Sequence, residues 1–74
     1  MGAPVLLYTR TGCAFCEAKR QELRDRGVDV REINVGDRPQ AVPELLKLTG
    51  GQRIVPVVVE GGRIAVAPEG GSAF

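Results

Sequence analysis

The chain has 74 residues and a formal net charge of +1, with 10 lysines and arginines against 9 acids and no histidine; that length holds one small domain over residues 1–74. The near-neutral balance, with no basic stretch interleaved with aromatics, excludes a nucleic-acid binder, and no apolar run reaches the ~20 residues a membrane-spanning helix needs. The opening APVLLY is too short for a secretion-signal core and has no basic region ahead of it, so the expectation is a cytoplasmic protein, where a cysteine pair is more often catalytic or metal-binding than structural.

In chain order, VLLY (Val5 to Tyr8) is a short continuous apolar run that suits a strand buried on both faces. From Ala14 to Arg26 there is neither proline nor glycine, and good helix formers dominate. Gly27 supplies the stop, with Arg24 and Arg26 in the last turn. Phe15, Ala18 and Leu23 are the inward candidates of this sparsely apolar helix. Val28 to Val35 alternates apolar and polar residues and predicts a second strand. Val42, Leu45, Leu46 and Thr49 then form a stripe of helical spacing closed by Gly50 and Gly51; Pro43 is tolerated only in the first turn. Ile54 to Val59 is the strongest strand, EGGR a tight turn, and RIAVA a fourth strand, followed by the tail PEGGSAF. Strand, helix, strand, helix, strand, strand predicts an α/β domain: a parallel crossover and an antiparallel hairpin sharing one four-stranded mixed sheet, with helices packed on it.

The only two cysteines, in RTGCAFCEAK, fall where the first strand gives way to the first helix. A helix N-terminus carries partial positive charge and unpaired N–H groups, both of which favour a thiolate. A Cys-X-X-Cys pair so placed drops from a pKa near ~8.5 to about 7 or lower. Cys13, at the start of the helix, is expected to reach solvent and attack; Cys16, one turn in, is expected to face the protein and resolve. Half of a zinc site is the first alternative, but there is no third cysteine and no histidine. Two inert core cysteines are the second, disfavoured by the loop position of Cys13 beside Thr11 and Gly12.

The chain resembles the glutaredoxins of the thioredoxin-fold superfamily over nearly its whole length. CAFC stands where that family has Cys-Pro-Tyr-Cys. Tyr8 to Cys13 matches Tyr-Ser-Lys-x-x-Cys, and Cys16, Ala18, Lys19 and Leu23 match the run after the motif. TGGQRIVP (Thr49 to Pro56) matches Thr-Gly-x-x-Thr-Val-Pro, and Gly70 and Gly71 match the glycine pair beyond the fourth strand. The resemblance implies thiol–disulfide oxidoreductase activity linked to glutathione, with Cys13 as nucleophile and Cys16 as resolving thiol. It also implies a cis Pro56 facing the cysteines, with the Val55 backbone pairing an incoming peptide as an added strand. Arg10 in place of the family lysine, Arg53, Gly70, Gly71 and Ser72 complete the implied glutathione site, and Arg10 is further expected to lower the Cys13 pKa. Tyr8 and Gln52 are weaker candidates.

The departures are specific. Ala14 and Phe15 replace the proline and tyrosine between the cysteines, which alters the redox potential. Ile54 replaces a threonine, and Ser72 stands where the family often has an aspartate for the γ-glutamyl end of glutathione. No tightly bound cofactor or metal is expected, with glutathione as co-substrate and disulfide-containing proteins as partners. Two alternatives remain: a redoxin reduced by a thioredoxin-reductase-type enzyme and serving a ribonucleotide reductase, and a glutathione-dependent [2Fe–2S] carrier. Finally, the family's third helix is largely missing, with GGSAF supplying at most an opening turn capped by Ser72. The sheet face it would cover, also the face of the first helix, is therefore expected to be filled by a second copy or by Phe74 folding back as a plug.

Overall fold

The structure is a computed structural model that describes residues 4–74; Met1 to Ala3, within the expected single domain, lie outside the described residues. Six strands and two α-helices follow one another as β1 (Val5–Thr9), α1 (Ala14–Asp25), β2 (Val30–Asn34), α2 (Val42–Thr49), β3 (Ile54–Val55), β4 (Val57–Glu60), β5 (Arg63–Val66) and β6 (Ser72–Ala73). The main sheet has the order β2-β1-β4-β5. β1 and β2 run parallel, joined across α1, whereas β4 is antiparallel to both β1 and β5. This is the expected four-stranded mixed sheet.

Period-two alternation along β1 sorts its side chains to two cores. Val5 and Leu7 join Val58 and Leu23 on the α1 side, and Tyr8 joins Leu45, Val35, Val55 and Val57 with the cysteines on the other. α1 buries Cys16, Lys19 and Leu23, while Phe15 is 44% exposed and Ala18 is exposed. The inward stripe thus differs from the expected one: the Cys16, Lys19, Leu23 spacing selects the buried face, and Phe15 and Ala18 sit one position round the helix. α2 begins with Pro43 in its first turn and ends on Gly50 in a left-handed C-cap (φ 71°).

Expectations that involve the end of the chain are corrected. The run Ile54 to Val59 is not one strand. Pro56, which has no N–H to give a ladder, divides it, and β3 leaves the main sheet to pair with β6. Ser72 therefore caps no helix; it lies in a strand, with Ile54 opposite Ala73 and Val55 opposite Ser72. The α1 face is also less open than expected, since Val5, Leu7 and Val58 are at most 7% exposed within a single chain. Phe74 does not plug that face, because pairing with β3 carries it to the cysteine-side core.

Candidate dithiol redox site

Cys13 is the N-cap of α1, with extended backbone (φ −100°, ψ 109°). Its Sγ accepts the backbone N–H of Cys16 at 3.1 Å, taking the role a serine or aspartate oxygen usually has at this position. Both thiols are free. Contrary to the expectation of a solvent-reaching nucleophile, Cys13 is only 1% exposed and Cys16 is fully buried. The tail adjoins the nucleophile through β3. Cys13 Sγ is 4.0 Å from the Val55 carbonyl oxygen, and Val55 is in turn paired with Ser72 of β6.

The two thiols are electrostatically distinct. Burial pushes Cys13 up, but hydrogen bonds from the Cys16 thiol, the Ser72 hydroxyl and the backbone N–H groups of Cys16 and Phe15 outweigh it, leaving a net lowered pKa. For Cys16, burial and the hydrogen bond it gives Cys13 push the pKa to about 12. One thiol is thus held ready to ionise and the other held protonated. Arg10 is not among the leading groups acting on Cys13, because its guanidinium donates instead to the Ala73 carbonyl. The resemblance pointed to Arg10; the fold turns it to the tail.

The other expected ligand residues converge on the same edge. The Val55–Pro56 bond is cis and both residues are buried. Arg53 Nε donates to the backbone oxygen of Phe74 at 2.9 Å, its guanidinium carbon lies 4.7 Å from the centre of the Phe74 ring, and its carbonyl accepts the Phe74 N–H at 3.2 Å. A groove of about 480 Å3 beside this edge is lined by Arg10, Arg53, Val35, Pro39, Val42 and Phe74, among others. Gly70, at φ 117°, takes a conformation open to glycine, and its missing Cβ leaves room for the Phe15 ring. At Gly71 a Cβ would stand 2.3 Å from the Val55 carbonyl oxygen, so only glycine lets the tail lie this close to β3. Tyr8 is core: it is fully buried, its hydroxyl has no hydrogen-bond partner among the described residues, and burial followed by the nearby Glu44 carboxylate raises its pKa. Gln52 is exposed, and its carbonyl accepts from Thr49 at 2.7 Å.

Ion pairs outside the expected site support this arrangement. Lys19, 8% exposed, bridges Glu22 at 3.1 Å and Glu69 at 2.6 Å, tying the loop before Gly70 to α1. Arg20 grips Glu32 with two hydrogen bonds of 2.6 Å, and the buried Thr9 hydroxyl donates to the same carboxylate at 2.8 Å. Lys19 falls within the motif run, so its position was marked; its acidic partner 50 residues away carries no local signal.

The chain is similar to known proteins across this framework. Residues 5–65 match the family model described as Glutaredoxin. The glutaredoxin-like protein NrdH of Escherichia coli K12 is 37% identical over 57 residues, covering 77% of this chain and 68% of that one. A glutaredoxin of Pseudomonas aeruginosa is 33% identical over 51 residues, covering 69% and 61%. Among solved structures, the NrdH-redoxin of Escherichia coli, described as having a thioredoxin-like activity profile, superposes with a TM-score of 0.74 at 33% identity, covering 85% of this chain and 80% of that one. A glutaredoxin of Archaeoglobus fulgidus gives a TM-score of 0.72 at 26% identity, covering 95% and 76%. A mixed sheet, a Cys-X-X-Cys pair at a helix N-terminus and a cis-proline beside it thus coincide with the family match over most of the chain, and the chain belongs to the glutaredoxin family as a thiol–disulfide oxidoreductase.

Proposed function

We propose that this chain reduces disulfides in other proteins, with Cys13 as nucleophile and Cys16 as resolving thiol, and draws its electrons from a thioredoxin-reductase-type enzyme. The observation that carries this reading is the Val55 edge, which in the structure pairs with an extended backbone strand, the form in which a protein substrate is offered. The thioredoxin-like profile described for the Escherichia coli relative agrees with it. In the forward step the Cys13 thiolate attacks one sulfur of the substrate disulfide, forming a mixed disulfide, and the other sulfur leaves as a thiolate that takes a proton from solvent. Cys16, held protonated with a pKa near 12, then gives up its proton as it attacks Cys13. The substrate's second sulfur departs reduced, and the Cys13–Cys16 disulfide awaits two electrons and two protons from the reductase. Such a dithiol belongs in a reducing, cytoplasmic compartment.

Glutathione as co-substrate is the second reading, favoured by the convergence of Arg10 and Arg53 on the Val55 edge, where a glutathione carboxylate finds cationic partners. Arg10, Arg53, Val55, Pro56, Gly70, Gly71 and Ser72 are the ligand residues under that reading. Turnover of a protein disulfide with NADPH and thioredoxin reductase, set beside turnover with glutathione and glutathione reductase, separates the two. Robust turnover with the first system and little with the second is expected; the reverse result replaces the first reading with the second. In either system Cys13→Ser abolishes exchange, and Cys16→Ser keeps the single-thiol step while losing reduction of protein disulfides.

A further inference from the structure

We propose that β6 occupies the position of a substrate backbone, and that its residues record what the site accepts: an extended polypeptide with a cysteine beside Val55 and an aromatic residue two positions C-terminal to it. The inference rests on the reading of the Val55 edge as the docking strand. Ser72 is the residue paired with Val55, whose carbonyl lies 4.0 Å from Cys13 Sγ. Serine differs from cysteine only in oxygen for sulfur, and the Ser72 hydroxyl is one of the groups that favour the Cys13 thiolate, so a substrate cysteine paired with Val55 in this register brings its sulfur to the Cys13 side of the edge.

The neighbouring contacts follow antiparallel pairing. The next residue, Ala73, lies opposite Ile54 and is exposed, and its carbonyl accepts from Arg10. The residue after that, Phe74, sets its ring on the Arg53 guanidinium and lines the groove with Val35, Pro39 and Val42. Arg10 and Arg53 both donate to main-chain oxygens of this strand. These contacts are available to a peptide in the same register that begins at the cysteine or has glycine before it, because among residues 72–74 only the serine and the aromatic ring use side chains and only glycine fits at position 71. With Cys13 1% exposed in this arrangement, β6 and a substrate segment exclude one another, and β6 lifts before exchange begins.

Two experiments without any reductase keep this proposal apart from the choice of reductant. In a Cys16→Ser background, Ser72→Cys and Ala73→Cys are each treated with one equivalent of a small aromatic disulfide. Two protein thiols are oxidised to one disulfide as the reagent is reduced to two aryl thiols, and the product is read by mass after digestion. Cross-linking of Cys13 to the thiol introduced at position 72, and little at 73, is expected from the alternation of strand side chains. Equal yields, or none at 72, overturn the register. The second experiment uses the unaltered chain, so it stands whether or not those variants fold. Peptides whose cysteine is capped by thionitrobenzoate are offered in single turnover. Cys13 attacks the peptide sulfur, forming a mixed disulfide, and the coloured thiolate leaves. Cys-Ala-Phe is expected to react with roughly fivefold or greater kcat/KM than Cys-Ala-Gly and than the reversed Phe-Ala-Cys. Equal rates for the three overturn the assigned recognition pattern.

Discussion

Gly71→Ala is the perturbation that most directly tests whether the tail covers the nucleophile. The added methyl meets the Val55 carbonyl oxygen at 2.3 Å, Ala67 Cβ at 2.9 Å and Ile54 Cγ1 at 3.1 Å. The first is backbone, which cannot swing aside as a flexible side chain does, so keeping β6 in place costs about 1–3 kcal/mol as overpacking. Beyond the β3–β6 pairing, β6 and Phe74 are held by hydrogen bonds from Arg10 to Ala73, from Arg53 to Phe74 and from the Phe74 N–H to Arg53. At about 0.5–1.5 kcal/mol net for each, releasing them costs roughly 2–4 kcal/mol. The two sums are comparable, and both lie below the roughly 5–15 kcal/mol that holds a domain of this kind together. The strain is therefore expected to raise the population of the lifted strand while the domain stays folded. Iodoacetamide alkylation of Cys13 at fixed pH reads this directly, since Cys13 is 1% exposed in the wild type. A shift of about 1.4 kcal/mol toward the open form raises the rate about tenfold while that form is the minority. An unchanged alkylation rate in a folded Gly71→Ala protein refutes the idea that β6 guards Cys13.

Ser72→Ala is expected to raise the Cys13 pKa, because the hydroxyl is one of the groups holding it down; the midpoint of alkylation against pH measures this. By linkage, the depressed Cys13 value supplies stability above the unfolded thiol pKa that is lost as pH falls through the folded value. Cys16 acts oppositely: between the ordinary thiol range and about 12 it ionises only when unfolded, so Cys16→Ser is expected to flatten the alkaline loss of stability in denaturant titrations. Glu32 is held below the usual carboxylate range chiefly by Arg20, opposed by burial and aided by Thr9, so it stabilises above its unfolded pKa and that contribution fades as pH falls through its folded pKa. Glu32→Gln is expected to remove that acid-side dependence at a cost of about 1 kcal/mol or less at neutral pH, the pair being partly exposed. Leu45→Ala, at a fully buried position of the cysteine-side core, is expected to lower unfolding stability by about 2–5 kcal/mol by chemical denaturation.

The sequence by itself determined the order of elements as far as α2, the mixed sheet and the placing of Cys13 at a helix N-terminus. These follow from local signals: the glycine-free and proline-free run after Cys13, the alternation in β2, the stop at Gly27 and the glycine turn before β5. It also marked Val55, Pro56, Arg10, Arg53 and the glycine pair, because they lie in short motifs at set spacings. Only the tertiary structure decided what those residues touch. Arg10 faces the Ala73 carbonyl rather than standing among the groups that lower Cys13, and Lys19 finds Glu69 from the far end of the chain. The tail GGSAF has too few residues for its own pattern to choose between helix and strand. Its state was settled from outside, by the unpaired edge that Pro56 leaves at Ile54 and Val55 and by the space that Gly71 keeps against Val55. A backbone donor or acceptor near a core has to be paired, and here the nearest partner in space lay 17 residues along the chain from Val55, at Ser72.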